Sequence, residues 1–141
     1  ADTRLVLIGN AATQTGQWLK ELAVSLDVQE RVVFTGWMDS EAAEGRMAQA
    51  DLGLGLLDMS AEQWRTALGA SNKRYQYMKA GLPQVGDQDP GVYELLEGNK
   101  IGVCLETDDP EELATVVAGY VLDPRRGLAE GARAFGLHQD R

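Results

Sequence analysis

The chain has 141 residues, of which 44% are apolar, and its formal net charge is −9. This length is enough for one domain with a hydrophobic core, and too short for two. The negative charge argues against binding to nucleic acid or to an anionic membrane through bulk electrostatics.

Cysteine and histidine each occur once, as Cys104 and His138. A single cysteine excludes an internal disulfide framework, and the two residues together cannot build a typical structural zinc site. Cys104 lies in an apolar run, so we expect it to be buried and unreactive. There is no apolar run of about 18 residues, so we expect no transmembrane segment. We also expect no cofactor and no bound metal.

Short apolar runs alternate with helical patterns along the chain. The runs that predict strands are 5–8, 32–34, 51–57, 82–85 and 101–105. Apolar spacing and capping signals predict helices near 18–26, 40–49, 72–80, 91–97, 109–121 and 125–135. Asp109-Pro110 is the clearest helix start, because a capping acid precedes a proline in the first turn.

Repeated strand–helix alternation predicts an α/β domain with one parallel, doubly wound sheet of at least five strands, flanked by helices on both faces. Ligands of such sheets bind outside the carboxyl ends of the strands. We therefore expect the loops after Ile8, Phe34, Leu57 and Val85 to meet at one crevice. The connection 58–70 is longer than a typical loop, which indicates a functional or mobile segment.

The segment 72–83 predicts a short helix with an anion-binding start. Ser71 or Asn72 can cap the first turn, whereas Gly81 and Pro83 end the helix. The unpaired N–H groups and the dipole of a helix start favour an anion, and Lys73 lies at that end. We expect a phosphate-bearing ligand there.

This segment resembles the corresponding part of group 1 retaining glycosyltransferases of the GT-B fold. The matching pieces are Asn72-Lys73, Gln76-Tyr77-Met78 and Ala80-Gly81-Leu82-Pro83. The resemblance continues in the family's order through 5–9, 31–37, 50–54, 91–94, 101–103 and 108–124. It implies that residues 1–141 form a three-layer Rossmann-like domain with a parallel β-sheet, the C-terminal donor-binding half of such an enzyme.

The same resemblance implies a function. The domain would bind a nucleotide diphosphate sugar, from which a hexosyl group passes to an acceptor glycan or lipid with retained configuration. The N-terminal acceptor domain, which would be the second partner, is absent from this chain, as are the basic residues that usually clamp the diphosphate. We therefore expect an excised domain or fragment that is inactive alone, from a cytoplasmic enzyme with any peripheral membrane attachment in the missing domain.

Two strand ends carry the first candidate site residues. Gly9 and Asn10 follow the first strand, where a small residue lets backbone N–H groups approach a phosphate or ribose; the alternative is a plain tight turn. Neither a Rossmann dinucleotide pattern nor a Walker A loop is present. In the resembling family, backbone near Gly36 meets the nucleotide base. Trp37 offers a stacking face, or alternatively a buried ring packed on a helix.

The helix at 72–80 carries the second set. Asn72 and Lys73 would meet the diphosphate, with a solvated lysine as the alternative. Gln76 falls where the family usually has the second glutamate of a Glu-x7-Glu pair, whose carboxylate holds the donor ribose. Glutamine still bonds a hydroxyl, but more weakly than a charged acceptor. The first glutamate would fall at Leu68, which cannot bind a hydroxyl, so both departures put catalytic competence or donor type in question.

The acidic residues after the fourth strand can have structural rather than functional roles. Asp87-Gln88-Asp89 has a form that metal-dependent transferases of another fold use, but it stands before Pro90 as a turn, which we favour. Glu94, expected at the start of a short helix, would orient the donor or cap the helix. Two other functions stay open: a non-catalytic nucleotide-binding or interaction domain, and a sugar-nucleotide epimerase of the same fold.

Overall fold

The computed structural model describes residues 2–56 and 72–140, with Asn72 described by its backbone. The chain divides into two compact units, Ala1–Gly45 and Arg46–Arg141. Within the described residues, no helix is both long enough and apolar enough to cross a membrane.

The first unit is a parallel strand–helix–strand arrangement. Its elements are β1 (Leu5–Leu7), α1 (Gln14–Ser25), a 3-10 turn (Gln29–Arg31), β2 (Val32–Phe34) and the beginning of α2 (Ser40–Met47). The two strands pair in parallel and in register along their whole length. The expected strand and helix positions in this part of the chain are confirmed.

The second unit continues the alternation. Its described elements are β3 (Gly53–Gly55), α3 (Asn72–Lys79), β4 (Gln84–Gly86), α4 (Pro90–Leu96), β5 (Gly102–Cys104), α5 (Pro110–Leu122) and α6 (Pro124–Gln139). The three strands lie in the order β3-β4-β5, and both ladders are parallel. Since every predicted strand forms and every ladder is parallel, the expected α/β, Rossmann-like class is confirmed.

The prediction of a single five-stranded sheet is wrong for the hydrogen-bonded ladders. Among the described residues, the ladders make a two-stranded sheet and a three-stranded sheet. Each strand is only three residues long, and β3 has the sequence Gly53-Leu54-Gly55. Glycine offers no side chain for cross-strand packing and lowers strand stability, so two of the three residues of β3 add nothing to it beyond backbone pairing.

Aspartate followed by proline begins three of the helices. Asp89, Asp109 and Asp123 each accept a hydrogen bond from a backbone N–H of the first turn. The following proline has no N–H to leave unpaired and a φ suited to a helix. The start predicted at Asp109-Pro110 is confirmed, and α6 begins at Pro124 rather than one residue later.

The core of the second unit is apolar and fully enclosed. It joins α3, α4, α6 and the entry and end of β5 through Met78, Val92, Leu96, Ile101, Cys104 and Ala134. Burying aliphatic side chains of this size stabilises a fold by about 1.5–3 kcal/mol each. This cluster therefore fixes the positions from which the candidate site residues of the second unit project.

Cys104 is buried as expected, with 8% of its surface exposed. Burial, together with the charge of Glu97, raises the pKa of its thiol from 9.0 to about 11. The thiolate is the reactive form of cysteine. Burial of the sulfur and the raised pKa of the thiol therefore both slow the reactions of Cys104. We expect a thiol reagent such as Ellman's reagent to react with the folded protein at pH 8 at least about 100-fold more slowly than with the chain in guanidinium. Equal rates would contradict a closed core at this position.

Candidate functional site

The turns after β1 and β2 meet each other in the first unit. The Gly9 N–H donates to the Gly36 carbonyl at 3.2 Å, and the Thr35 N–H donates to the Leu7 carbonyl at 3.1 Å. Gly9 and Gly36 have φ of 146° and 76°, a region that other residues rarely enter. The two glycines predicted from separate motifs therefore form one backbone-lined surface beside the strand ends.

Asn10 belongs to the turn that leads into α1. Its side-chain Oδ1 accepts a hydrogen bond from the Ala12 N–H at 3.0 Å. The next polar residue, Thr13, caps α1 by accepting from the Gly16 N–H at 3.0 Å. A Cβ on Gly16 would lie 2.2 Å from the Ala11 carbonyl oxygen, so only glycine fits there. The sequence interpretation missed Thr13 and Gly16, although a threonine before a helical run is a cap signal.

Trp37 is 77% exposed. The alternative of a tryptophan buried against a neighbouring helix is therefore wrong. An exposed indole immediately after the Gly36 turn leaves a large flat face open to solvent, and such a face can stack on a planar ring. Whether a base stacks on it stays a prediction.

The first turn of helix α3, which contains Lys73, lies near the carboxyl ends of two strands of the second unit. The next residue, Arg74, donates from Nη2 to the carbonyl of Gly55, the last residue of β3, at 2.9 Å. The same guanidinium lies 3.8 Å from a carboxylate oxygen of Asp87, the first residue after β4. Lys73 itself is exposed. The first turn of α3 thus stands at the sheet edge where ligands of parallel sheets bind.

Arg74 is the residue of this edge that the sequence interpretation missed. Its side chain is buried, with 1% exposed, and burial lowers its pKa while the charge of Asp87 opposes that shift. A Cβ on Gly55 or Gly86 would lie 2.7 Å or 3.1 Å from its Nη1, so both glycines make room for the guanidinium. The signal in the sequence was glycine at the last position of two neighbouring strands.

A glutamine side chain and an aromatic ring brace the same helix. Gln84 donates from Nε2 to the backbone carbonyl of Arg74 at 2.9 Å. Tyr77 donates its hydroxyl to the Leu54 carbonyl at 3.0 Å, and burial raises the pKa of that hydroxyl. These bonds hold α3 against β3 and β4 from its first turn to its second.

Gln76 is exposed on α3, three residues after Lys73. Residues three apart lie on neighbouring positions of a helix surface, so the two side chains can reach one ligand. The side chain of Asn72, as well as Leu68 and Ser71, lies outside the described residues.

The acidic residues after β4 have structural partners. Asp89 accepts hydrogen bonds from the N–H groups of Gly91 and Val92 and so caps α4, while Asp87 faces Arg74. In the part of the chain that the structure describes, no group of three potential metal ligands comes together. Both acids of the Asp-x-Asp triplet therefore have structural roles.

The expected position of Glu94 is wrong. Helix α4 begins at Pro90, so Glu94 is its fifth residue, and Asp89 fills the capping role. A helix rises about 1.5 Å per residue, which puts Glu94 roughly 6 Å along α4 from the end that adjoins β4. Its side chain is exposed. A donor contact by Glu94 stays a prediction, which this position disfavours.

A family profile described as "Glycosyl transferases group 1" matches residues 1–123. A mannosyltransferase of Mycolicibacterium smegmatis, described as a GDP-mannose-dependent alpha-(1-6)-phosphatidylinositol monomannoside mannosyltransferase, is 28% identical over 133 residues, which is 92% of this chain and 33% of that protein. These two matches come from sequence alone.

Solved structures show the same fold. HepE of Anabaena, solved with UDP and glucose, superposes with a TM-score of 0.77 at 23% identity, over 98% of this chain and 36% of that one. WaaG, a glycosyltransferase involved in lipopolysaccharide biosynthesis, gives a TM-score of 0.75 at 20% identity, over 99% and 34%. The chain spans about a third of the length of these proteins. Because the family profile covers most of its residues, the chain belongs to the group 1 glycosyltransferases.

Proposed function

We propose that this chain is the C-terminal donor-binding domain of a retaining glycosyltransferase and that it binds a nucleotide diphosphate sugar. The observation that carries the proposal is the first turn of α3, in which an exposed lysine precedes Arg74, whose guanidinium reaches the end of β3 and the turn after β4. A helix start and a cation together favour a diphosphate. HepE, which shares the fold, was solved with UDP-glucose, and this supports the choice of ligand.

Six of the candidate residues have a role in this proposal. Lys73 neutralises the diphosphate, and Gln76 donates to or accepts from a ribose hydroxyl. The Gly36 backbone and the exposed face of Trp37 meet the base. The Gly9–Asn10 turn offers backbone N–H groups to the sugar or phosphate. The acceptor, a glycan or a lipid, meets an N-terminal domain outside this chain, so the fragment alone does not catalyse transfer.

Local charge supports an anionic ligand despite the net charge of −9. Around the first turn of α3, Lys73 and Arg74 supply two positive charges, and Asp87 and Asp89 both act on Arg74 as negative charges. These four groups balance, and the helix start adds a partial positive charge. The edge is therefore much less negative than the chain as a whole.

A second function is favoured by one feature. Gln76 stands where the family usually has a glutamate, and Leu68 replaces the other acid. A domain that kept the fold but lost both acids would bind nucleotide or protein without supporting transfer. Binding of nucleotide at the donor site would separate both nucleotide-binding functions from a domain that only binds protein.

The test is a nuclear magnetic resonance titration of this chain with UDP and with GDP. We expect weak binding, with a Kd on the order of millimolar, since half of the site is missing and the cost of ordering the ligand is not offset. Shifts should move at Gly36, Trp37, Lys73 and Gln76. Shifts confined to the turn 87–89 would indicate a metal site, and no shifts at all would favour the interaction domain.

Two substitutions on α3 separate the contacts. Lys73→Ala should weaken UDP binding by about 1 kcal/mol and leave uridine unaffected, because it removes only a phosphate contact. Gln76→Glu should strengthen binding of UDP and uridine by about 1 kcal/mol or less, since a charge-assisted bond to the ribose is stronger but the carboxylate loses hydration. The readout is the Kd from the same titration.

Lys79→Ala provides the matched control, because Lys79 is the last residue of the same helix and is also exposed. It removes the same charge about 9 Å further along the axis. If Lys73→Ala and Lys79→Ala change the Kd for UDP equally, the effect is one of net charge. If neither Lys73→Ala nor Gln76→Glu changes affinity, the domain does not use this donor site.

A further inference from the structure

Arg74 forms a charged cluster under the turn that follows β4. Its Nη2 lies 2.9 Å from the Gly55 carbonyl and 3.8 Å from an Asp87 carboxylate oxygen, and 11% of the Asp87 side chain is exposed. The charge of Asp89, two residues later, also raises the pKa of Arg74. A buried guanidinium thus faces the Asp87 carboxylate at the carboxyl edge of the sheet, and Asp89 adds a second negative charge to the same turn.

We propose that Arg74 sets the charge of the donor diphosphate site: paired with Asp87, it cancels negative charge that the turn after β4 would otherwise present to the phosphates. The inference rests on the proposed nucleotide-sugar function. Arg74 is too deeply buried to touch the ligand, so it acts through its charge and that of its partner Asp87.

The charge of the cluster explains why such a pair would matter here. Arg74, Asp87 and Asp89 together carry one negative charge. Removing the cation leaves two negative charges at the edge, whereas neutralising Asp87 leaves none. A unit charge roughly 8 Å from a diphosphate, in mostly aqueous surroundings, changes binding by about fivefold at low salt. An uncharged nucleoside would hardly respond.

This charge role predicts that substituting Arg74 and substituting Asp87 change the affinity for UDP in opposite directions. Arg74→Met should weaken UDP binding about fivefold, and Asp87→Asn should strengthen it about fivefold. The double variant restores the charge of the parent, so its Kd should return to within about twofold. A purely structural pair would behave differently, because losing either partner disturbs the same turn and both single variants would bind more weakly.

The experiment measures Kd for UDP and for uridine by magnetic resonance titration of the 141-residue chain and its variants. Lys79→Met is the control for net charge, and Arg74→Lys keeps the cation with a similar stem. We expect Arg74→Lys to retain most of the UDP affinity, uridine binding to change less than twofold in every variant, and the differences to shrink in 1 M NaCl, where the Debye length is about 3 Å.

The outcomes are separable. If wild type does not bind UDP, the proposed function fails, and this inference fails with it. If wild type binds but Asp87→Asn weakens UDP, or uridine and UDP change together, the inference alone is overturned. Should Arg74→Met not fold, as judged by circular dichroism, Asp87→Asn still decides the sign of the charge effect.

Discussion

Replacing Gly131 by alanine should cost the second unit about 3 kcal/mol of unfolding free energy. Helix α6 passes so close to the end of α3 that a Cβ at position 131 would lie 2.1 Å from the Gly81 carbonyl oxygen. Both groups belong to backbone, so neither can rotate away, and the helices would have to separate by about an ångström. Gly81 itself has φ of 72° and ends α3, which leaves little freedom to adjust.

Gly136→Ala is the matched control on the same helix. A Cβ there would have nothing within 4 Å, so the substitution should stabilise the helix by about 0.5–1 kcal/mol through helix propensity alone. Thermal unfolding followed by circular dichroism compares the two variants with wild type. We expect Gly131→Ala to lower Tm by roughly 10 °C and Gly136→Ala to raise it by a few degrees. A small, equal change for both would mean that α6 does not pack this closely.

The element order could be predicted from local signals. Each strand and each described helix arises where short-range chemistry is explicit, as in the apolar run 101–105 or the Asp109-Pro110 start. Parallel pairing followed from the alternation of strands and helices, because a helix between two strands returns the chain to the same edge. The two turns at Gly9 and Gly36 could also be predicted, because a backbone with positive φ favours glycine.

The burial of Arg74 could not be predicted in the same way. A charged residue on a short helix is usually solvent-facing, yet Arg74 and Met78, four residues apart, share the buried face of α3. The explanation lies in another element. Gly53 and Gly55 lie on one face of β3, and their missing side chains admit Tyr77 and Arg74. The sequence of one helix does not show that glycines in a distant strand make room for its side chains.

The candidate site, like the fold, could be predicted in part. The residue types at Lys73 and Gln76 suggested a ligand, and the structure shows both exposed on α3. The position of Glu94 was misjudged because the Asp89 cap, one residue before the proline, sets the helix start. The exposure of Trp37 depends on packing beyond its own turn, which local sequence does not specify.

Replacing Tyr120 by phenylalanine should destabilise the protein by about 2 kcal/mol at neutral pH. The Tyr120 hydroxyl donates to the Glu130 carboxylate at 2.5 Å, and both residues are 7% exposed. Arg126 donates from Nε to the other carboxylate oxygen at 3.0 Å and stacks over the Tyr120 ring. The bond joins α5 to α6, and without it a buried carboxylate loses one of its donors. Chemical denaturation gives the free energy.

Tyr93→Phe is the control, because Tyr93 is 56% exposed and its loss of a hydroxyl should change stability by less than about 0.5 kcal/mol. The wild-type advantage over Tyr120→Phe should also depend on pH. Burial, and then the hydrogen bond to Glu130, raise the pKa of Tyr120 well above 10.0. The folded state therefore keeps the proton that the unfolded chain loses, so this stabilisation is complete below pH 10 and declines above it.

Between pH 9 and pH 11 the difference in unfolding free energy between wild type and Tyr120→Phe should fall by about 1.4 kcal/mol. The comparison cancels the titration of every other group, including Tyr77, whose hydroxyl pKa is also raised. A difference that stays constant through this range would show that the Tyr120 proton is not held in the folded state. The Glu130 carboxylate would then not be the acceptor that joins α5 to α6.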